Sequence, residues 1–135
     1  MDDIKYAVVC VDDDPYILQM LGFQLGKILD QKCTLLEYFT NPSEALLNID
    51  QLVAEKIDII FIIVDYQMPE MTGAQLIRSI KEKHPDLKCV MLSGQANPVS
   101  VDSLVKDKLL DSFISKPWDE EVLFNAVRPI LENIH

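Results

Sequence analysis

Five short apolar runs separated by stretches of helical periodicity constrain this chain more than any other feature. The runs are Tyr6–Val11, Thr34–Phe39, Ile57–Val64, Lys88–Leu92 and Ser112–Ile114. The first and third are almost wholly apolar and rich in Val and Ile, the pattern of strands covered on both faces. Between the runs, Ile17, Leu18, Leu21, Leu25 and Ile28 recur at helical spacing, as do Leu76, Ile77 and Ile80. Val101, Leu104 and Val105 repeat the period, in a helix expected over Val99–Leu110, and Val122, Leu123, Ala126 and Val127 repeat it again. Asp14-Pro15, Asn41-Pro42 and Asn97-Pro98 each set an Asx N-cap before a proline at the first helical position, where the missing N–H costs nothing. Asp119 stands ready to cap the last helix, and Pro129 is expected to kink or end it near Arg128. Strand and helix alternating in this way predict an α/β fold, a parallel sheet with helices on both faces.

A chain of 135 residues with no linker, repeat or low-complexity stretch reads as a single domain spanning 1–135, with no second domain inside it. Twelve basic and 22 acidic side chains leave a net charge of −10. That charge repels phosphate backbones and anionic lipid, which argues against direct nucleic-acid or membrane-surface binding, whereas a divalent cation or a basic partner would be welcome. No apolar run approaches the roughly 18 residues of a membrane span, and the start, Met1-Asp2-Asp3, is acidic where a signal peptide is basic. Cys10, Cys33 and Cys89 are odd in number and far apart, and each adjoins an apolar run. They read as buried free thiols of a cytoplasmic protein.

The polar chemistry gathers at the strand ends. The first strand runs into Asp12-Asp13-Asp14, the third into Asp65, the fourth into Ser93-Gly94 and the fifth into Ser115-Lys116-Pro117. Open parallel sheets bind ligands beyond the carboxyl ends of their strands. Singly, each residue has a plain structural use: an acid after a strand caps a helix (the role assigned to Asp14), a serine turns the chain, a Lys-Pro pair is a solvated loop. Together, several carboxylates at one sheet edge would repel one another unless a cation sat between them. Hard oxygen ligands with room for water suit Mg²⁺, and no His or Cys cluster competes for a softer metal. Lys116 and a serine hydroxyl would then serve an incoming phosphoryl group, with Asp65 as the nucleophile.

The segments Val9-Cys10-Val11-Asp12-Asp13-Asp14-Pro15, Val64-Asp65-Tyr66-Gln67-Met68-Pro69-Glu70-Met71-Thr72-Gly73, Met91-Leu92-Ser93-Gly94 and Phe113-Ile114-Ser115-Lys116-Pro117 closely resemble the CheY-like receiver domain of two-component response regulators. The resemblance covers essentially the whole chain. It implies a flavodoxin-like (βα)₅ doubly wound fold with strand order 2-1-3-4-5. It further implies that Asp65 accepts a phosphoryl group from the phosphohistidine of a sensor histidine kinase or phosphotransfer protein. By the same resemblance Asp13, Asp65 and the backbone carbonyl of Gln67 ligate Mg²⁺, and Asp12 acts through a bound water. Ser93 and Lys116 contact the phosphoryl group, Ser93 and Phe113 form the switch, and Lys116-Pro117 is cis. Gln67 and Gln95 flank the path of the hydrolytic water and tune the lifetime. The output domain or downstream protein would read a face built from helix four, strand five and helix five, with a homodimer left open. Such a domain is regulatory, not an enzyme acting on other molecules.

Some positions depart from the commonest family pattern: Gly94 follows Ser93, Trp118 stands where many receivers have Phe, and Ser100–Leu110 lacks the usual Ala and Gly. Receivers with a similar Lys-Pro-Trp often occur fused to cyclic-dinucleotide phosphodiesterase or other output domains. Asp12-x-Asp14 also matches the spacing of a haloacid-dehalogenase-type phosphatase, though Tyr16 stands where that family has Thr or Val and no late acidic pair follows. A pseudo-receiver that is never phosphorylated would not need both Asp65 and Lys116, and a flavodoxin would need a phosphate-binding loop after the first strand. His84 reads as a surface residue at a helix end, His135 as a mobile terminus, Met20, Met68 and Met91 as packing, and Tyr66 as a cover beside the site.

Overall fold

The structure is a computed structural model that describes residues 3–94 and 99–133. Its elements run β1 (Tyr6–Val11), α1 (Pro15–Leu25), β2 (Thr34–Phe39), α2 (Pro42–Ala54), β3 (Asp58–Asp65), α3 (Gly73–Lys83), β4 (Cys89–Ser93), α4 (Val99–Lys106), β5 (Ser112–Ser115) and α5 (Glu120–Leu131). All strand pairs are parallel and the sheet order is β2-β1-β3-β4-β5. This is the flavodoxin-like arrangement, with the chain reversing direction across the sheet between β2-β1 and β3.

Alternation along the strands divides the core in two. Ala7, Val9 and Val11 of β1 join Ile49, Leu76, Ile77, Ile80, Val101 and Leu104 beneath α2, α3 and α4. Val8 and Cys10 face the other way, onto Leu18, Leu21 and Leu25 of α1 and Leu123 and Val127 of α5. The interior strands β1, β3 and β4 are buried on both faces, which is why their sequences show no polar alternation.

The helix starts follow from their caps. Asp14 accepts from the Tyr16 N–H at 2.9 Å, Asn41 from the N–H groups of Ser43 and Glu44, and Asp119 from that of Val122. The Asn97-Pro98 start lies outside the described residues. A reciprocal capping box, Thr72 with Gln75, opens α3.

Two helix ends differ from the sequence reading. α4 stops at Lys106 rather than continuing to Leu110, because Lys108 adopts a left-handed conformation (φ 59°). Leu109 N–H then donates to Leu104 O at 2.9 Å and Lys108 N–H to Val105 O at 3.1 Å, the Schellman pattern. The end of α2 repeats it with Lys56 at φ 63°. No glycine announced either stop. Conversely, α5 runs through Pro129 to Leu131. The proline falls in the last turn, where only one backbone bond is lost and the helix end stays exposed. Among the cysteines, Cys10 and Cys89 are buried but Cys33, in the turn before β2, is partly exposed. Met20 is likewise surface rather than core, 47% exposed.

A lysine in the left-handed region costs about 1 kcal/mol that glycine avoids. Lys56→Gly and Lys108→Gly are each expected to raise stability by roughly 0.5–1 kcal/mol, read as a higher urea midpoint at unchanged slope.

Candidate functional site

The carboxyl ends of β1, β3, β4 and β5 converge on one open cavity of about 400 Å³. Asp12 follows β1 directly and is fully buried; its N–H donates to Phe39 O at 3.1 Å, and its Oδ1 accepts from the Asp14 N–H at 2.8 Å. Asp65 is the last residue of β3 and Ser93 the last of β4, and both are buried. Asp13 is exposed at the rim. Carboxylate oxygens of Asp12, Asp13 and Asp65 all lie within 4.8 Å of one another. Lys116 enters from the end of β5, its N–H bonded to Ser93 O at 2.8 Å. Its Nζ reaches Asp65 Oδ1 at 2.8 Å and Asp12 Oδ2 at 3.0 Å. The Lys116–Pro117 peptide is cis.

The β3–α3 loop is drawn tight under Asp65. Gly73 N–H donates to Tyr66 O at 2.7 Å, and a Cβ on Gly73 would collide with the backbone carbonyl of Asp65. Only glycine permits that approach. Sequence reasoning quoted Gly73 as part of the motif without giving it this role, which depends on a contact across eight residues.

Of the residues singled out from sequence, Asp12, Asp13, Asp65, Gln67, Ser93 and Lys116 all line the cavity. Phe113 does not. It lies on β5, half-buried against the core beneath α2, α3 and α4. Gln95 and His135 lie outside the described residues. Tyr66, half-buried, packs against that same core. Asp14 borders the cavity, but its carboxylate is engaged as the cap of α1. Trp118 donates from Nε1 to Gln24 Oε1 at 2.9 Å, tying the loop after β5 to α1. His84, at the end of α3, contacts Asp50 Oδ1 of α2 at 2.9 Å rather than standing alone on the surface.

Charge dominates the site. Burial pushes the Asp12 carboxyl up to about 6, with the negative Asp65 adding to the rise against hydrogen bonds from Asp14 N–H and Lys116. Burial also raises Asp65, though Lys116 opposes it. For Lys116, burial alone would lower the pKa, but its contacts with Asp65 and Asp12 outweigh burial and raise it. Three carboxylates against one ammonium leave surplus negative charge in a confined space. The donor set is all hard oxygen, with one ligand exposed to solvent, which fits Mg²⁺. The thiols take no part: burial raises both Cys10 and Cys89 to about 12, with the Asp12 charge adding at Cys10.

A folded-state pKa above the unfolded 3.8 means that Asp12 favours folding when protonated. Its contribution is complete below 3.8 and is lost as pH rises through about 6, worth at most about 3 kcal/mol. Urea unfolding in a chelator should therefore show wild type losing stability, relative to Asp12→Asn, between about pH 4 and about pH 7. Parallel pH profiles for the two proteins would contradict this picture.

Residues 8–128 match the family model described as the response regulator receiver domain. The response regulator protein TmoT of Ectopseudomonas mendocina is 29% identical over 133 residues, 98% of this chain but 56% of that protein. The chain thus spans little more than half of that relative's length. Among solved structures, the signal receiver domain of an HD domain-containing protein from Pseudomonas fluorescens Pf-5 superposes with a TM-score of 0.78 at 26% identity, covering 95% of each chain. An uncharacterized protein from Neptuniibacter caesariensis gives 0.80 at 28% identity, covering 96% of this chain and 90% of that one. With four strand ends meeting in an acidic cavity and the match running almost from end to end, this chain belongs to the receiver domain family of two-component response regulators.

Proposed function

We propose that residues 1–135 act as one receiver unit that takes a phosphoryl group onto Asp65 from the phosphohistidine of a sensor histidine kinase or phosphotransfer protein. The observation that carries this reading is the bridging contact of Lys116 with both Asp65 and Asp12 in a cavity open to solvent. An Asp65 carboxylate oxygen attacks phosphorus as the P–N bond breaks; the electron pair leaves with the imidazole, and an acyl phosphate forms. Lys116 then exchanges a carboxylate partner for a phosphoryl oxygen, and the Ser93 hydroxyl donates to another. Asp13, Asp65 and the Gln67 carbonyl would hold Mg²⁺ directly, with Asp12 through water. When bound, the ion would offset charge on the transferring group.

Readout would follow from Ser93 and Phe113, which lie on the neighbouring strands β4 and β5 two residues apart in register, Ser93 opposite Ser115 and Phe113 opposite Met91. Phosphorylation would bias two arrangements of the face made by α4, β5 and α5, where Val105 and Val122 are exposed. The partner there is an output domain, attached or separate. In the P. fluorescens neighbour the receiver belongs to an HD domain-containing protein. The domain is regulatory: its chemistry stays on its own Asp65. A phosphatase reading needs Asp14 as a free acid, but that carboxylate caps α1.

The donor's approach is suggested by α1. Tyr16, Met20 and Phe23, spaced to share one side of the helix, are 78%, 47% and 69% exposed. Met20 also shares a hollow with Lys116 and Trp118. An apolar side chain of the donor protein would cover this strip while its phosphohistidine reaches Asp65.

Incubation with radiolabelled acetyl phosphate and Mg²⁺ is expected to label wild type and leave Asp65→Asn unlabelled; undiminished label on the variant would overturn the assignment. Gln67→Met should acquire label normally and lose it severalfold more slowly, because Gln67 lies exposed at the cavity where it can orient the attacking water. Met20→Glu should slow transfer from a phosphohistidine protein at least tenfold while leaving acetyl phosphate labelling intact. Equal loss with both donors would place the defect in the cavity instead.

A further inference from the structure

Among the described residues, α4 is lightly held: its one substantial element neighbour is α3, and only Val101 and Leu104 of its described side chains are buried. Two cations one turn apart on α3 fasten this region, and they do so unequally. Lys81, only 8% exposed at its side chain, reaches Asp111 Oδ2 at 3.3 Å. That same oxygen accepts the Cys89 N–H at 2.8 Å, so Asp111 is anchored to β4 as well as to α3. Arg78 instead reaches across to α4 itself, donating from Nη2 to Ser103 Oγ at 2.6 Å and Asp107 Oδ2 at 2.8 Å. Both members of the Arg78–Asp107 pair are open to water, 43% and 54% exposed.

The Lys81–Asp111 contact is therefore a pivot and the Arg78 contact a catch. Between them lies a hollow of about 310 Å³ lined by Arg78, Lys81, Glu82 and Leu109. That hollow gives the α4–β5 turn room to shift. Glu82, four residues along α3 from Arg78, offers the guanidinium another carboxylate once it leaves α4. The seam thus puts a second carboxylate within the same helix face as Arg78, the kind of alternative partner a switching element can use.

We infer that Arg78 is a releasable latch that holds α4 in its unphosphorylated position and so sets the threshold for switching. The inference rests on the proposed phosphorylation of Asp65 but names a residue outside that cavity. A surface ion pair contributes little, so the latch tunes the equilibrium and does not lock it. Loss of the latch should favour the switched state a few-fold, and a phosphoryl mimic that selects that state should bind tighter by the same factor.

The test compares Arg78→Met with wild type and with Lys83→Met. The Lys83→Met protein loses the same charge from α3 but, among the described residues, breaks a contact to Asp50 of α2 rather than to α4. Amide hydrogen exchange of residues 101–106 in the unliganded proteins should accelerate severalfold in Arg78→Met and stay unchanged in Lys83→Met. Beryllofluoride in Mg²⁺, followed by calorimetry, should bind Arg78→Met two- to fivefold more tightly than wild type. Added negative charge alone would weaken binding of that anion, and Lys83→Met measures this effect. Unchanged exchange in α4, or beryllofluoride affinity equal to or weaker than that of Lys83→Met, would overturn the latch. Failure of wild type to bind beryllofluoride at all would instead remove the phosphorylation reading, and the exchange result would still decide whether Arg78 restrains α4.

Discussion

The ammonium of Lys116, suspended between Asp65 and Asp12, is the interaction on which the cavity depends. Two buried carboxylates at neighbouring strand ends, with a third exposed beside them, would be untenable without a positive partner. Lysine suits that place because its charge is compact and its stem flexible, so it can follow whichever oxygen carries the most negative charge. The site is correspondingly unsettled. Burial pushes the Asp12 carboxyl up to about 6, one cation serves two acids, and a surplus of negative charge remains.

The rest of the fold supplies rigidity to that unsettled edge. β1, β3 and β4 are buried on both faces and deliver Asp12, Asp65 and Ser93 from a packed sheet rather than from loops. Gly73 lets α3 begin directly beneath Asp65, and its N–H closes the loop onto Tyr66. Opposite these fixed parts stands α4, short, lightly covered, and joined to α3 through a water-exposed arginine. Stability concentrated around Asp65 and weakness concentrated in α4 would suit the proposed two-state switch.

Much of this was legible in the residues themselves. Asx-Pro pairs marked the starts of α1 and α2, Asp119 that of α5, and the unbroken apolar run before Asp65 identified a central strand. Asp12, Asp13, Asp65, Ser93 and Lys116 could be named because parallel sheets collect their chemistry at the carboxyl edge, so sequence position after a strand is also spatial position. Gln67 was named through the family resemblance alone. Helix ends were harder. Lys56 and Lys108 take a conformation usually left to glycine, and Pro129 sits inside a helix it was expected to kink or end. At Lys56 and Lys108 the paired Schellman bonds offset the local preference, and at Pro129 only the last, exposed turn of the helix is left to lose.

The sequence by itself determined the fold class, the order of elements and the set of acids, because periodicity, caps and strand-end position are local properties of the chain. Only the tertiary structure decided which groups touch. That Lys116 bridges two carboxylates rather than one, that Gly73 has no room for a side chain, and that Arg78 crosses to α4 rather than pairing along its own helix all depend on distances between segments far apart in the chain. Such distances are fixed by strand order and by how the helices pack on the sheet, and side-chain spacing along the chain carries no record of them.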